Sequence, residues 1–214
     1  MRSRRGGGVE RASAPLHSRH LAQRSLAVRT PPRPGSIWIV ASLVLAAFAP
    51  HALAQIAPTA DQVKAAYLQK FTGYVDWPPK ALADAASPFV IGIVGADTVL
   101  AELARLVPGR PAQGRAVEVR RLPAAAPASD VHVVFIGREV GAEATVALLA
   151  AYRGRPVLTV TDRPGGLESG AVLNFVELDH RVRFEAAPAL AELDGLRLSS
   201  RLLAVAQRVS GGLP

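Results

Sequence analysis

The sequence predicts a three-layer α/β fold with a largely parallel central sheet, a C-terminal antiparallel hairpin and a closing helix. Three continuous apolar runs that are rich in β-branched residues lie at 88–94, 131–136 and 156–161. Runs of this kind are typical of strands that are covered on both faces of a sheet. Segments with helical spacing stand between them, and this alternation favours a parallel sheet with helices on its faces.

The first element of the folded part is a helix predicted over residues 60–76. A Thr-x-x-Gln capping box precedes it, and apolar residues then recur at helical spacing until two prolines end the pattern. The helix region carries the aromatic residues Phe71, Tyr74 and Trp77. Such a stripe is more often core than binding surface, but an indole just before the prolines can be half exposed. Trp77 is therefore a candidate partner contact.

The middle of the chain is predicted to alternate helices and strands. A helix over 98–106 follows the first buried strand, because a Gly-Ala-Asp turn offers a helix cap there. Residues 115–122 alternate apolar and charged side chains, which is typical of a half-exposed strand. An alanine- and leucine-rich helix over 139–152 separates the second buried strand from the third.

The C-terminal part of the chain has a different pattern. Residues 162–170 are glycine-rich and are expected to form a flexible loop. Strands over 171–178 and 181–186 follow, and the Asp-His pair between them predicts a hairpin. A short helix over 188–193 and an amphipathic closing helix over 196–209 complete the predicted fold.

Residues 1–54 are predicted to be a secretory leader. The uncharged apolar run 37–49 has the length of a signal-peptide core and is too short to span a membrane. Arginines precede this run, and an Ala-Leu-Ala pattern after it predicts cleavage after Ala54. The segment before the run is rich in Arg, Gly, Pro and Ser, so we expect disorder there and a true start codon near Val28. Residues 55–214 then form a single exported domain, with no membrane insertion after cleavage.

The charge of the chain is concentrated in the predicted leader. The protein has a formal net charge of +8, of which residues 1–54, with eight arginines and one glutamate, carry +7. The nearly neutral remainder gives no electrostatic reason to expect nucleic-acid binding. The chain has no cysteine, which excludes disulfides, thiol chemistry and cysteine-ligated metals.

No catalytic, cofactor or metal site is predicted from the residues. The strand-to-helix turn at 92–97 matches no glycine-rich phosphate motif, and Asp97 places a negative charge where a phosphate would bind. Ser199 and Ser200 lie within a predicted helix and outside any nucleophile-elbow motif. His132 lies within an apolar strand, as expected for a hydrogen-bonded core or sheet histidine. Three polar residues at the predicted hairpin tip are more typical of a solvated turn than of a metal site: Glu177, Asp179 and His180.

Segments spread across residues 60–209 resemble, in order, the YfiR family. The most specific are AAYLQKFTGYVDWP at 65–78, with its Trp-Pro pair, and LRLSSRLLAVAQRV at 196–209. The others are FVIGIVG, GRAVEVRRL, VHVVFIG, PVLTVTD and GAVLNFVELDHRVRFEA. The resemblance implies a small periplasmic α/β protein that forms homodimers and has no known catalysis or cofactor. It further implies binding and repression of the periplasmic sensory region of an inner-membrane diguanylate cyclase, which lowers cyclic di-GMP and disfavours biofilm.

The resemblance also identifies two candidate contact residues and one difference between this chain and the family. By position, Glu185 and Arg197 match the region that the family uses for partner contact and for positioning the closing helix, so we expect them to bind the partner together with Trp77. The residues themselves are equally compatible with a surface or structural ion pair. The disulfides through which a family member senses redox state have no counterpart here, because the chain has no cysteine. That route of regulation is excluded, whereas repression through a binding surface is not.

Two functional interpretations remain open at this point. The first is a regulatory binding protein, not an enzyme, that acts from the periplasm on a membrane-bound diguanylate cyclase or sensor kinase. The second is a periplasmic small-molecule binding protein or enzyme, whose ligand would lie at the carboxyl ends of the parallel strands near Gly95 and Gly137. A deep polar pocket at Gly95 would favour the second interpretation.

Overall fold

A computed structural model describes residues 57–82, 84 and 86–211 of the chain. Within these residues, helices alternate with buried strands along the first part of the chain, and an antiparallel hairpin follows the last buried strand, as the sequence predicts. In chain order the elements are α1 (Ala60–Phe71), β1 (Val75–Asp76), a 3-10 helix (Pro79–Leu82), β2 (Phe89–Val94), α2 (Asp97–Leu106), β3 (Val117–Arg121), β4 (Val133–Ile136), α3 (Ala142–Tyr152), β5 (Leu158–Thr161), β6 (Leu173–Leu178), β7 (Arg181–Ala186), α4 (Pro188–Leu193), β8 (Arg197–Leu198), α5 (Ser200–Ala204) and β9 (Arg208–Val209).

The predicted leader, residues 1–54, lies outside the described residues, and its cleavage after Ala54 stays a prediction. Among the helices that the structure describes, none is long and apolar enough to cross a membrane. The longest of these helices, α1, has 12 residues. A helix needs about 20 apolar residues to cross a bilayer.

Seven of the described strands form one central sheet in the order β3-β2-β4-β5-β6-β7-β9. Neighbouring strands are parallel except for the antiparallel pair β6 and β7. A two-residue turn joins this pair at Asp179 and His180, whose φ angles of 49° and 57° are those of a type I′ hairpin. β1 and β8 form a separate antiparallel ribbon. The prediction of a largely parallel sheet with a C-terminal hairpin is confirmed.

Helices cover both faces of the central sheet, which gives the three layers. β2 shows the division, since Phe89, Ile91 and Ile93 face one core while Val90 and Val94 face the other. The first core also receives side chains from α1, α2, α4 and α5, and the second receives side chains from α3. All of β2 is buried, and removal of apolar surface from water on both faces is the main stabilising contribution to such a sheet.

The first helix is shorter than predicted and ends at Phe71 instead of residue 76. The amide of Gly73 closes a turn onto the carbonyl of Lys70, and the chain then becomes extended as β1. β1 pairs with β8, where Val75 lies opposite Leu198. Strand pairing therefore takes over the residues that helical periodicity predicted to continue the helix.

The closing helix is confirmed only over Ser200–Ala204, instead of the predicted 196–209. Ser199 caps it, because its Oγ accepts a hydrogen bond from the Leu202 amide (3.3 Å). The flanking residues form the short strands β8 and β9, which pair with β1 and β7. Amphipathic spacing over so few residues fits a helix and a strand, and the backbone hydrogen bonds that β1 and β7 offer decide the outcome.

The glycine-rich loop 162–170 is closely packed, which differs from the expectation of a flexible loop. Leu167 is 3% exposed, and backbone hydrogen bonds close the successive turns of the loop. A Cβ atom at Gly166 would overlap the side chains of Asn174 and Thr161, so a larger residue would not fit there. The loop is therefore a fixed part of the fold beside β5 and β6.

Candidate functional site

Trp77 lies inside the fold, so the expectation of a half-exposed indole is wrong. The residue is 8% exposed, and its ring packs edge-on against Phe89 with the ring centroids 5.1 Å apart. The reason is the alternation of side chains along the extended segment that follows α1. Val75 and Trp77 are buried, whereas Tyr74 and Asp76 are exposed. The indole Nε1 has no hydrogen-bond partner within the described chain.

The ribbon of β1 and β8 presents Tyr74, Asp76 and Arg197 to solvent, and we call these three residues the ribbon surface. Asp76 lies directly opposite Arg197 in the antiparallel register. Tyr74 is 40% exposed, and its carbonyl accepts a hydrogen bond from the amide of Ser199 (2.9 Å). The Arg197 side chain forms no ion pair with any residue that the structure describes. Sequence reasoning selected Trp77 from the aromatic stripe and missed Tyr74, because its exposure depends on where α1 ends.

Glu185 is engaged by Arg208 and not by Arg197. Its carboxylate accepts hydrogen bonds from Arg208 Nε (2.7 Å) and Asn174 Nδ2 (3.2 Å). Arg208 also pairs with Glu168 (2.9 Å), and the two carboxylates raise the pKa of its guanidinium. The structural ion pair that the sequence left open is thus present, and it joins β7 to β9. Of the three predicted contact residues, Arg197 lies on the ribbon surface, Trp77 is buried just after β1, and Glu185 lies in the central sheet.

A second candidate site lies at the carboxyl ends of the parallel strands, between β2 and β4. The chain leaves β2 toward α2 on one face of the sheet and leaves β4 toward α3 on the other face. Adjacent parallel strands whose connections diverge in this way leave a crevice between their loops, where open α/β sheets bind ligands. Gly95 and Gly137 line this crevice. A Cβ atom at Gly137 would overlap the Gly95 carbonyl, so the close approach of the two loops requires glycine.

The crevice contains a polar pocket of about 290 Å³, which we call the switch-point pocket. A buried ion pair lines it: Lys64 Nζ lies 2.7 Å from Asp162 Oδ2, and the two side chains are 8% and 4% exposed. Arg138 Nε donates a hydrogen bond to the same oxygen (3.1 Å), and Lys64 also lies 3.4 Å from Asp61. The other oxygen of Asp162, Oδ1, is buried and has no hydrogen-bond partner within the described chain.

Comparison with known families identifies the group of proteins to which this fold and these residues belong. The YfiR/HmsC-like family matches residues 61–207, which is well over half of the chain. The chain belongs to the YfiR/HmsC-like family. The resemblance that the sequence segments indicated is thereby confirmed. No curated protein is significantly similar to the chain in sequence.

This YfiR/HmsC-like chain has a larger pocket, of about 430 Å³, at the amino ends of β2, β4 and β5, which we call the amino-end pocket. His132 lines it with both ring nitrogens engaged. The amide of Val90 donates to Nδ1 (3.0 Å), so that Nε2 carries the proton and donates to the carbonyl of Ala81 (3.2 Å). Burial lowers the pKa of His132. The expectation that His132 is hydrogen-bonded is confirmed, although the residue is half-buried and lies just before β4 instead of within the strand.

Two basic side chains of the amino-end pocket are also engaged by the backbone. The guanidinium of Arg115 donates to three carbonyls of the segment before β2, and that of Arg155 donates to two carbonyls of the segment before β4. These bonds connect loops to one another, so both guanidinium groups have a structural role. The acceptors are Leu82, Asp84 and Ser87 for Arg115, and Ala128 and Ser129 for Arg155.

Other polar residues of this YfiR/HmsC-like protein that could suggest chemistry have local structural roles. Ser199 caps α5, and Asp179 and His180 form the hairpin turn. Asp97, at the start of α2, pairs with Arg121 of β3. In the part of the chain that the structure describes, no group of three His, Asp or Glu residues could hold a metal ion.

Proposed function

We propose that this protein is an exported, non-catalytic regulator that binds and represses the periplasmic sensory region of an inner-membrane diguanylate cyclase. Repression of the cyclase lowers cyclic di-GMP and disfavours biofilm formation. A sensor kinase is the alternative membrane partner. The observation that carries the proposal is the YfiR/HmsC-like family match over residues 61–207, because that family suggests a periplasmic regulator of a diguanylate cyclase.

The ribbon surface is the contact that we propose for the membrane partner. Tyrosine and arginine are enriched among the residues that contribute most to protein–protein binding. Tyr74 and Arg197 are both exposed, and the guanidinium of Arg197 is available for a carboxylate or carbonyl of the partner. The pairing of β1 with β8 fixes the backbone of this surface, so that binding requires little additional ordering.

Trp77 and Glu185, the other two predicted contacts, have structural roles in the described chain. Trp77 packs on Phe89 and holds the end of β1 against the core, while Glu185 holds β9 through Arg208. Replacement of a buried tryptophan by alanine costs about 3–5 kcal/mol, so Trp77→Ala would report on folding as much as on contact. The exposed residues of the ribbon surface are the cleaner positions to test. The homodimer that the family resemblance implies stays a prediction, which light scattering of the purified protein would test.

Deletion of the gene, followed by measurement of cellular cyclic di-GMP, tests the regulatory role. We expect cyclic di-GMP to rise in the deletion strain and to return to the parental level when the wild-type gene is restored. Tyr74→Ala and Arg197→Ala should accumulate as folded proteins but fail to restore that level, because both side chains are exposed. Unchanged cyclic di-GMP in the deletion strain would contradict the proposal.

Arg181→Ala is the matched control for the ribbon surface. Arg181 is exposed at the start of β7 and forms no ion pair with a described residue. This variant should restore cyclic di-GMP fully. If Arg181→Ala and Arg197→Ala fail equally, the ribbon surface is not the specific contact, although the regulatory role would stand.

A further inference from the structure

We propose that the switch-point pocket binds a small aliphatic amine with at least two ammonium groups, that is, a diamine or a polyamine. The pocket lies where open α/β sheets hold ligands, between the loops that diverge after β2 and β4. This binding function goes beyond the regulation of a cyclase and does not depend on it. The charge of the pocket lining and one unpartnered carboxylate oxygen select the chemistry of the ligand.

The lining of the switch-point pocket is acidic, with five acidic and two basic side chains. Both basic residues, Lys64 and Arg138, are already paired with Asp162. Glu139 and Glu177 also line the pocket, are exposed, and form no ion pair with a described residue. A cleft with an excess of one sign of charge focuses its field and concentrates ligands of the opposite sign. The field of this pocket therefore favours cations.

Asp162 provides an independent observation that points to a donor-bearing ligand. Its side chain lines the pocket and is 4% exposed, and its Oδ1 atom is buried without a hydrogen-bond partner in the described chain. A buried acceptor that lacks a donor is destabilising. An ammonium group carries three hydrogen-bond donors, so it can supply the donor that this oxygen lacks. Arg138 bonds the other oxygen of Asp162, and its side chain, which is 60% exposed, is the lining group that would shift to admit the amine.

Other ligand classes fit the pocket less well. An anion would meet the acidic excess, and Asp97 already supplies negative charge at the first turn of α2, the helix whose N-terminus lines the pocket. A metal ion lacks ligands, since no three His, Asp or Glu residues of the described chain are placed to hold one. A volume of about 290 Å³ is at the lower end for small-molecule pockets, which suits a short aliphatic chain. One ammonium would bind at Asp162, and the next at Glu139 and Glu177.

Isothermal titration calorimetry of the full chain with putrescine and spermidine tests the proposal. We expect one binding site per chain, tighter binding of spermidine because it carries more positive charge, and weaker binding of both amines as salt is added. Sodium chloride at matched ionic strength and succinate, a dianion of similar length to putrescine, should give no binding heat. Binding of succinate in place of the amines, or no binding of either amine at millimolar concentration, would overturn the proposal.

Variants of the lining test whether the amines bind in this pocket. Glu139→Gln combined with Glu177→Gln should weaken spermidine binding about tenfold, because two attractive charges are removed. Glu192→Gln is the matched control, since Glu192 is exposed on α4 and is not part of the pocket lining, and it should bind like the wild type. Unchanged affinity in the double variant would overturn the proposed site.

Asp162→Asn tests the unpartnered oxygen directly. The substitution removes the carboxylate charge that the proposed ammonium group faces, so spermidine binding should be lost. Circular dichroism of the same sample shows whether the variant is folded, because Asp162 also pairs with the buried Lys64. Full-affinity binding by folded Asp162→Asn would overturn the proposal. If the variant does not fold, the double variant of the two glutamates decides the question.

Discussion

The two ends of the central sheet are both polar, but their polar groups are bonded in different ways. At the amino end, His132, Arg115 and Arg155 make hydrogen bonds with backbone groups of neighbouring segments. At the carboxyl end, Asp162 keeps one buried oxygen without a partner in the described chain, and Glu177 has no ion pair there. The amino-end pocket is nevertheless the larger one, at about 430 Å³ against about 290 Å³.

We therefore place the proposed ligand in the smaller pocket, although the Lys64–Asp162 pair of that pocket also stabilises the fold. Hydrogen bonds from Arg115 and Arg155 to carbonyls hold the segments that precede the strands, so the fold fixes the positions of both guanidinium groups. The carboxyl end lies at the point where the chain connections diverge, and one buried oxygen of Asp162 there has no hydrogen-bond partner in the described chain. The bonding state of the polar groups is therefore a better guide to binding here than pocket volume.

The largest effect is expected from Lys64→Met at the carboxyl end. The variant removes one partner of a buried ion pair and leaves Asp162 with Arg138 as its remaining cation. Loss of one partner from a buried pair costs about 3–5 kcal/mol, and the retained arginine places this variant near 3 kcal/mol. Urea unfolding followed by circular dichroism measures the change in the free energy of unfolding.

Lys80→Met is the matched control at the amino end. Lys80 is exposed and lines the amino-end pocket, and substitution of an exposed side chain changes stability by less than about 0.5 kcal/mol. If both lysine variants unfold at the same urea concentration, the buried pair adds nothing to stability. The charges of the carboxyl end would then contribute no more to stability than an exposed lysine of the amino end.

Arg115→Ala tests the amino end and should cost about 2 kcal/mol, because backbone carbonyls before β2 lose a charged donor. Arg115→Lys should recover less than half of this loss, since an ammonium cannot reproduce the planar fork of donors. Arg110→Ala, at an exposed loop position, is the control and should be neutral. Thermal unfolding ranks the three variants. Weakened spermidine binding in Arg115→Ala would show that the two ends are not independent.

The sequence predicted the strands of the central sheet better than the elements at its margins. Runs at 88–94, 131–136 and 156–161 are short, mostly apolar and rich in β-branched residues, which is typical of a strand covered on both faces. The predicted helices 60–76 and 196–209 were too long because their ends pair with each other as β1 and β8. These segments are far apart in the chain, and local periodicity carries no information about such pairing.

The candidate sites also divide into features that the sequence could predict and features that depend on contacts distant in the chain. The pocket between Gly95 and Gly137 could be predicted, because it follows from the order and direction of the strands. The burial of Trp77 and the exposure of Tyr74 could not be predicted. A shift of one residue in an extended segment exchanges its inward and outward side chains. The contact of Lys64 with Asp162 joins residues 98 positions apart, and no local pattern marks it.

The smallest effect is expected from acidification, through His132 at the amino end. Burial lowers its pKa below the ordinary value of 6.5, and the hydrogen bond with Ala81 offsets this only in part. Below about pH 6.5, and down to the lowered pKa of the folded chain, the unfolded chain therefore binds a proton at this position that the folded chain excludes. The free energy of unfolding should fall as the pH is lowered through this window, by at most about 1.4 kcal/mol per pH unit for one group.

His132→Gln is the variant that assigns this pH dependence to the histidine. Glutamine keeps one acceptor and one donor for the amide of Val90 and the carbonyl of Ala81, but it does not titrate. Urea unfolding at several pH values between about 5 and 7 should therefore show a flatter slope for the variant than for the wild type. If the free energy of unfolding varies equally with pH in the variant and in the wild type, other groups cause the pH dependence. It would also mean that the hydrogen-bonded His132 at the amino end makes no pH-dependent contribution to the free energy of unfolding.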